Sequence, residues 1–138
     1  MAFYEKIGLL VLNDDATEIL VCQKSPDNVT AQYIMPGGQF EESSHQECLQ
    51  REIQEELSCD IDLDSLELIG DYEDIAAGHT DRTVHMVLYQ GRLIGTPVPS
   101  SEIKQIHWIG AKDIDNPLIS AIIRNKIIPD LISRNVLR

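Results

Sequence analysis

The sequence predicts an α/β fold in which a mixed β-sheet lies between helices, an α/β/α sandwich. Two observations support this prediction. Short apolar runs bounded by turn residues recur along the chain, as expected for strands. Two stretches with helical spacing of apolar residues interrupt these runs. The 138 residues are enough for a sizeable core, and we expect a single domain over residues 1–138.

The N-terminal part of the chain is predicted to form a β-hairpin followed by a loop. An apolar run over residues 4–12 ends at a turn signal over residues 13–15, and a second run follows over residues 18–22. Residues 23–32 are polar and are expected to form a loop. Such loops often border binding pockets.

A glycine turn comes next, at Pro36, Gly37 and Gly38. Glycine supplies backbone angles that are closed to other residues, and it lets the backbone approach a ligand closely. Met35 precedes the turn, where it suits either core packing or the lining of a pocket.

A helix is predicted over residues 44–58. Ser43 or Ser44 is the expected N-cap, because Glu47 follows Ser44 at the spacing of a capping box. One apolar stripe recurs every four residues along this helix, formed by Leu49, Ile53 and Leu57.

A second face of the same helix carries three carboxylates. Glu52, Glu55 and Glu56 stand at positions i, i+3 and i+4, so they are neighbours on the helix surface. The residues alone leave two interpretations open. The face is either solvated surface, or it binds a hard divalent cation such as Mg²⁺, which prefers carboxylate oxygens.

The combination of these features resembles a known family. P-G-G at residues 36–38, followed by R-E-x-x-E-E at residues 51–56, is similar to the Nudix box. This loop–helix signature belongs to hydrolases that act on nucleoside diphosphates linked to another group. The resemblance implies the same α/β/α architecture and a divalent metal ion, Mg²⁺ with Mn²⁺ as the alternative.

The resemblance also implies roles for individual residues. Glu52, Glu55 and Glu56 become metal ligands, and Glu55 and Glu56 belong to the catalytic set. Arg51 joins that set as a residue that orients a carboxylate through a bidentate contact. Gly37 and Gly38 are expected to contact substrate or metal through the backbone.

Two positions depart from the family pattern. The box glutamate that is expected between the glycines and the arginine falls on Ser43, with Glu42 beside it. The sequence does not tell whether Glu42 compensates. The glycine expected after the paired glutamates is Ser58, a change we expect to be mild, since serine can end a helix at some conformational cost.

The second half of the chain is predicted to add strands and a last helix. A turn is expected over residues 76–81, and a glycine- and proline-containing loop over residues 95–99. Asn116 and Pro117 are expected to open the last helix, which Pro129 should kink or break. The predicted strands cover residues 60–64, 66–72, 83–89, ending near Gln90-Gly91, and 104–109.

Three further residues of this half are candidates for the site or the core. Many family members carry a glutamate in the loop before the final strand, and the resemblance gives Glu102 that metal-binding or water-activating role. The alternative is a solvated charge. Trp108 is expected in the core. His79 can reach the site from its turn, but the four histidines lack ligand spacing and none is predicted to be catalytic.

Asn116 has two interpretations. In the MutT-like branch of the family an asparagine before the last helix reads the purine edge, and an amide can donate and accept at once. Asn116 occupies a comparable place. The alternative is that it caps the last helix.

Composition limits the partners. The net charge of −12 repels nucleic acid polymers and anionic membranes, so a small nucleotide screened by metal ions is the expected partner. Three cysteines without metal-ligand spacing are expected to be reduced thiols. The N-terminus lacks a secretory signal, so the cytoplasm is the expected location. The sequence does not decide between a monomer and a homodimer.

The function expected from these observations is Mg²⁺-dependent hydrolysis of a nucleoside triphosphate, an oxidised one included, to the monophosphate and pyrophosphate. An ADP-ribose or nucleotide-sugar pyrophosphatase is the alternative among enzymes. A catalytically weak Nudix-fold domain that binds a nucleotide or a protein is the alternative of another class.

Overall fold

The computed structural model describes residues 2–24, 32–41 and 44–138. Within these ranges the strands are β1 (Tyr4–Leu10), β2 (Ile19–Lys24), β3 (Tyr33–Ile34), β4 (Gly37–Gln39), β5 (Asp60–Ile75), β6 (Thr83–Ile94) and β7 (Ile103–Ile109). The helical elements are α1 (His45–Leu57), a 3₁₀ turn (Ala111–Asp113), a π-helical segment (Ile123–Ile127) and α2 (Ile128–Ser133). No helix in the described ranges is long and apolar enough to cross a membrane.

The strands form two sheets. The first is mixed and has the order β4-β1-β6-β5, in which β1 and β6 are parallel and the other pairs are antiparallel. The second is antiparallel and has the order β3-β2-β7. The predicted mixed sheet is therefore confirmed, and the separate three-stranded sheet is an addition that the sequence did not indicate.

Helices cover both faces of the strands, which confirms the α/β/α sandwich. Alternate residues of a strand point to opposite faces, so β1 divides its side chains between two apolar clusters. Ile7 and Leu9 pack with α1, whereas Leu10 packs with the last helix. The stripe of α1 predicted from the sequence, Leu49, Ile53 and Leu57, is fully buried.

The beginning of α1 agrees with the sequence analysis. Ser44 is the N-cap, and its hydroxyl accepts a 3.1 Å hydrogen bond from the N–H of Glu47. This bond satisfies one of the N–H groups that an α-helix leaves without a partner at its first turn. Ser43, the other candidate, lies outside the described residues together with Glu42.

The N-terminal hairpin forms only near its turn. The N–H of Leu20 donates to the carbonyl oxygen of Val11 at 3.0 Å, and Leu12 and Ile19 form a β-bridge. Beyond these contacts β1 and β2 separate into different sheets. The two strands therefore connect the sheets instead of forming a full hairpin.

The strands after α1 are longer than predicted. Residues 60–64 and 66–72 belong to one strand, β5, whose pairing with β6 continues across two irregularities in register. β6 runs past the predicted end at Gly91 to Ile94. A Cβ atom at Gly91 would lie 3.0 Å from the Leu66 side chain and 3.2 Å from that of Leu9. Close packing explains this glycine, and a turn does not.

The last helix begins later than predicted. Asn116 and Pro117 lie in turns, and the helical residues start after Ser120. The capping role for Asn116 is therefore wrong, because its side-chain oxygen accepts from the N–H of Leu118, at 3.0 Å, within the preceding turn. Pro129 lies in the first turn of α2, directly after the π-helical segment. The regular α-helix is thus interrupted just before the proline, which lacks the N–H that a continuous helix uses.

Trp108 is exposed, with 40% of its surface accessible, so its predicted core position is wrong. It pairs with Leu20 across the β2–β7 ladder, and directly opposite residues share a face. β7 is an edge strand of the three-stranded sheet, so no further strand lies beside Trp108 on its outer side. The cysteines Cys22, Cys48 and Cys59 are free and buried.

Candidate active site

The two glycines lie in strand β4, so the turn predicted for them is wrong, and the acidic helix packs beside this strand. β4 carries the two glycines and pairs with β1, so that Gly37 lies opposite Gly8 and Gly38 opposite Ile7. α1 packs through its apolar stripe on β1. Because both elements are held by the same strand, the backbone of β4 meets the side chains of Glu52 and Glu56.

Both glycines are required by close contacts. Gly37 has a φ of 137°, and a Cβ there would overlap the carbonyl oxygen of Ile7. A Cβ on Gly38 would overlap the carboxylate of Glu52. The N–H of Gly37 donates a 2.9 Å hydrogen bond to Glu56 Oε1. The glycines of β4 therefore hold one glutamate by a hydrogen bond and leave room for the other.

Glu56 is a buried carboxylate, with 5% of its surface exposed. Burial raises its pKa to about 8, because a charged carboxylate loses the stabilisation of water. The hydrogen bond from Gly37 and the positive charge of Lys24 lower the pKa, whereas the negative charges of Glu52 and Glu102 raise it. A strongly perturbed acid of this kind in a cleft is typical of functional sites.

Arg51 connects two of the other glutamates. Its Nη1 donates to both carboxylate oxygens of Glu55 at 3.2 Å, and its Nη2 lies 3.0 Å from Glu52 Oε1. The side chain of Glu52 is 14% exposed, and that of Glu55 is 51% exposed. The structure therefore brings Glu52 to the site, while Glu55 lies on the solvent side of Arg51.

The loop that carries Glu102 is attached to the end of α1. The N–H of Val98 donates to the carbonyl oxygen of Leu57 at 2.8 Å, and that of Ser100 donates to the carbonyl oxygen of Glu56 at 2.9 Å. These bonds satisfy carbonyl groups that the helix end leaves unpaired. Glu102 follows two residues later and lies 3.7 Å from Lys24 Nζ through its Oε1.

Ser58, which replaces the family glycine, ends α1 in the left-handed conformation, with a φ of 54°. Its hydroxyl lies 2.7 Å from that of Ser100. Glycine adopts this conformation without strain, and serine does so at some cost. The contact with Ser100 joins the replacement to the loop that precedes Glu102.

These side chains border one cleft with a volume of about 370 Å³. Part of its lining is one face of β1 and β6, where Tyr4 pairs with Val84 and Lys6 with Met86. The charged lining residues, together called the charged wall, are Lys6, Lys24, Glu41, Glu52, Glu56 and Glu102. The apolar and aromatic lining residues, together called the apolar wall, are Tyr4, Met35, Ala76, Val84, Met86 and Ile122.

The structure brings most of the predicted residues to this cleft. The predicted residues that line the cleft are Gly37, Gly38, Met35, His79, Glu52, Glu56 and Glu102. Asn116 is not among its lining residues, and its side chain is bonded within its own turn. Glu55 and Arg51 also lie outside the lining.

The donor chemistry of the charged wall fits a divalent cation. Glu52 and Glu102 each raise the pKa of Glu56, so the three carboxylates lie within electrostatic reach of one another. Hard cations prefer such oxygen ligands. Among the residues that the structure describes, no three acidic, histidine or cysteine side chains already stand in an arrangement that holds a metal ion. Binding therefore requires the carboxylates to draw together.

Several cleft residues were not predicted from the sequence. Lys6 and Lys24 are the cations of the charged wall, and Ser120 lines the cleft just before the helical residues of the last helix. One signal was present in β1, where Lys6 stands one residue before the buried apolar run that starts at Ile7, on the strand face opposite to Ile7 and Leu9. A partly buried lysine at such a place in a strand indicates a functional face.

The chain matches a protein-family model. A model described as the NUDIX domain matches residues 5–131, which is most of the chain. No curated protein matches the chain by sequence. The matched range contains the glycines of β4, α1 and the loop that carries Glu102.

Solved structures share the fold. The MutT protein from Methanosarcina mazei Go1 has a TM-score of 0.75 and 18% identity, over 97% of this chain and 96% of that chain. The E. coli ORF135 protein has a TM-score of 0.70 and 19% identity, over 97% and 91%. The NUDIX domain of Shewanella oneidensis NrtR, complexed with ADP ribose, has a TM-score of 0.68 and 13% identity, over 98% and 90%. At these identities the likeness shows a common fold.

Proposed function

This chain belongs to the Nudix hydrolase family, and we propose that it cleaves a nucleoside triphosphate to the monophosphate and pyrophosphate with Mg²⁺. Family membership establishes a pyrophosphohydrolase that acts on nucleoside diphosphates linked to another group. The triphosphate, the ion and the roles of single residues are our proposal. The observation that carries it is one cleft that has a charged wall and an apolar wall.

The charged wall suits a polyphosphate chain. Lys6 is partly buried and has no ion pair among the described residues, and its pKa is lowered by burial and by Lys24. Lys24 lies beside Glu102. We assign both ammonium groups to phosphate oxygens, because charge-assisted hydrogen bonds to phosphate are strong.

Glu52, Glu56 and Glu102 are the proposed cation ligands in the cleft, and Glu55 is retained as a ligand that must leave Arg51 to join them. A bound divalent cation lowers the pKa of coordinated water and neutralises phosphoryl oxygens. The N–H of Gly37 holds Glu56 in place, and Arg51 holds Glu52. Glu102 is the most exposed of the three cleft carboxylates and is therefore our candidate for accepting the proton of the attacking water.

The apolar wall suits a nucleobase. Tyr4, Met35 and Met86 provide flat or adaptable contacts of the kind that bases require. A substrate with one nucleoside and one phosphate chain would place its base on the apolar wall and its phosphates on the charged wall. ADP-ribose or a nucleotide sugar also needs polar contacts for a second sugar. This comparison supports a triphosphate, and an oxidised base belongs in the test.

One observation favours the second candidate, a binding domain with weak catalysis. Glu55 is paired with Arg51 outside the cleft, and the described carboxylates are not already gathered around a metal position. In this account the cleft holds a nucleotide without fast turnover. The family position that falls on Ser43 lies outside the described residues.

The experiment that separates the candidates is product analysis over a substrate panel. Nucleoside triphosphates, 8-oxo-dGTP, ADP-ribose and UDP-glucose are each incubated with the protein, with Mg²⁺ or with a chelator. We expect Mg²⁺-dependent release of pyrophosphate and monophosphate from a triphosphate. Faster cleavage of ADP-ribose or UDP-glucose would show that the substrate is one of these conjugates and not a triphosphate. Binding without cleavage would favour the second candidate.

A further inference from the structure

Ser120 carries a buried hydroxyl with no hydrogen-bond partner among the described residues. The residue is 2% exposed. Its backbone is fully bonded, because its N–H donates to the carbonyl oxygen of Tyr33 at 3.2 Å and its carbonyl accepts from the N–H of Arg124 at 3.1 Å. The side chain alone is left unsatisfied. Buried polar groups without partners are rare in folded proteins and require an explanation.

The backbone around Ser120 is firmly held. The N–H of Tyr33 donates to the carbonyl oxygen of Leu118 at 2.7 Å. The guanidinium of Arg124 donates to the carbonyl oxygens of Ile114, Asn116 and Ile119 at distances of 2.7 to 3.0 Å. The serine hydroxyl therefore moves only by rotation about one side-chain bond, among three staggered positions.

Ser120 lines the cleft, and residues close to it in the chain belong to the same hydrophobic cluster as side chains of the apolar wall. Ile119 and Ile122 are buried there together with Met35 and Met86. These apolar side chains offer no hydrogen bond, so the partner of the hydroxyl has to come from whatever fills the cleft. Among the lining residues, the other uncharged polar side chains are Tyr4, Gln39 and His79. Tyr4 and His79 already lie 3.4 Å apart, Oη to Nε2.

We propose that the Ser120 hydroxyl hydrogen-bonds the polar edge of a nucleobase held against the apolar wall, and that it thereby sets the base preference of the protein. The proposal rests on the proposed function in taking this wall as the nucleoside site. A hydroxyl both donates and accepts, so it pairs with a carbonyl, a ring nitrogen or an amino group of the base. A site that hydrogen-bonds one edge discriminates against bases that leave the hydroxyl unpaired.

The test is the variant Ser120→Ala, with Ser133→Ala as the matched control on α2. Two measurements are made for each protein. The first is kcat/KM for ATP, GTP, CTP and UTP with Mg²⁺. The second is calorimetric binding of the four nucleoside monophosphates in a chelator, which does not depend on turnover.

Ser120→Ala is expected to lower affinity for the preferred base about tenfold and to flatten the ranking of the four bases, in both measurements. Thermal stability of the free protein should stay equal or rise, because the variant removes a buried group that has no partner to lose. A structural hydroxyl would give the opposite pattern, with lower stability and an unchanged ranking.

The remaining outcomes either overturn the proposal or support it. An unchanged ranking in Ser120→Ala overturns it, and so does a wild type that binds the four monophosphates equally or not at all. A ranking altered by Asn116→Ala and not by Ser120→Ala also overturns it, in favour of the asparagine. If no triphosphate is hydrolysed but Ser120→Ala abolishes a base ranking in binding, the proposed function fails and the Ser120 assignment stands.

Discussion

The N–H of Gly37 donates a 2.9 Å hydrogen bond to Glu56 Oε1, between residues nineteen positions apart in the chain. The bond joins strand β4 to the last turns of α1. It fixes a carboxylate that burial has made a weak acid, with a pKa of about 8. The same carboxylate lies in electrostatic reach of Glu52 and Glu102, so this bond defines the centre of the proposed cation site.

Replacing Glu56 by glutamine should separate catalysis from folding. The amide oxygen of Glu56→Gln still accepts from Gly37, but it is a poorer ligand for a divalent cation. Turnover is expected to fall by about 100-fold or more, a loss of about 3 kcal/mol in transition-state stabilisation. Steady-state kinetics with Mg²⁺ measures this. Wild-type turnover in the variant would remove Glu56 from the mechanism.

The raised pKa of Glu56 predicts how the metal-free protein responds to pH. The folded protein holds the Glu56 proton up to a pKa of about 8, whereas the unfolded chain releases it near the ordinary value of 4.5. The free energy of unfolding therefore falls as the pH rises from about 4.5 to 8, by at most about 5 kcal/mol from this group. Below this range the contribution is fully present.

Thermal unfolding in a chelator between pH 5 and pH 9 checks this dependence. The comparison is between the wild type and Glu56→Gln, because the other acidic groups act equally in both. The variant should gain stability relative to the wild type as the pH rises, and the gain should level off above about pH 8. Parallel curves would mean that Glu56 does not titrate in this range.

A methyl group at Gly38 should disturb the site through Glu52. In Gly38→Ala the new Cβ occupies the place of the Glu52 carboxylate, which must move. We expect turnover to fall about tenfold or more, since small misplacements of catalytic groups are costly. Steady-state kinetics measures the loss, and circular dichroism with thermal melting confirms that the variant is folded.

The control for this prediction is a double-mutant cycle with Glu52→Gln. If Gly38→Ala acts through Glu52, the two changes together should lower turnover little more than Glu52→Gln alone. Additive losses would show that the methyl group acts elsewhere, for example on strand pairing with Ile7.

Lys24→Met should weaken substrate binding more than chemistry. Lys24 lines the cleft and lies 3.7 Å from Glu102. Loss of a charged contact to phosphate is expected to raise KM about tenfold with a smaller change in kcat. Lys126→Met, an exposed lysine in the π-helical segment, removes the same charge away from the cleft. If both variants raise KM equally, Lys24 acts only through the net charge of the protein and not through a contact with phosphate.

Local patterns in the sequence predicted the parts of the site that depend on local structure. The apolar stripe of α1 and the Ser44 cap are determined by residues three or four apart, and both were found. The glycine pair was found as part of the motif, but the predicted turn was wrong, because Gly37 and Gly38 lie in strand β4 and pair with β1. Family resemblance supplied Glu102, whose approach to the site depends on bonds between Ser100 and Glu56 that no local pattern reveals.

Residues brought to the site by long-range pairing were missed. Lys6 faces the cleft because β1 pairs with both β4 and β6, and the sequence does not specify these partners. The last helix was predicted to start at Asn116-Pro117, because asparagine and proline commonly begin helices. Tertiary contacts of Tyr33 and Arg124 hold this segment in turns instead, so that Ser120 occupies the cleft.

The most direct test of the central claim is a crystal structure with Mg²⁺ and a non-hydrolysable nucleoside triphosphate analogue. Mg²⁺ is expected to bind carboxylate oxygens of Glu52 and Glu56 together with phosphate oxygens of the analogue. The triphosphate should lie along Lys6 and Lys24. A structure in which Mg²⁺ and the phosphates bind away from these glutamates would contradict the account.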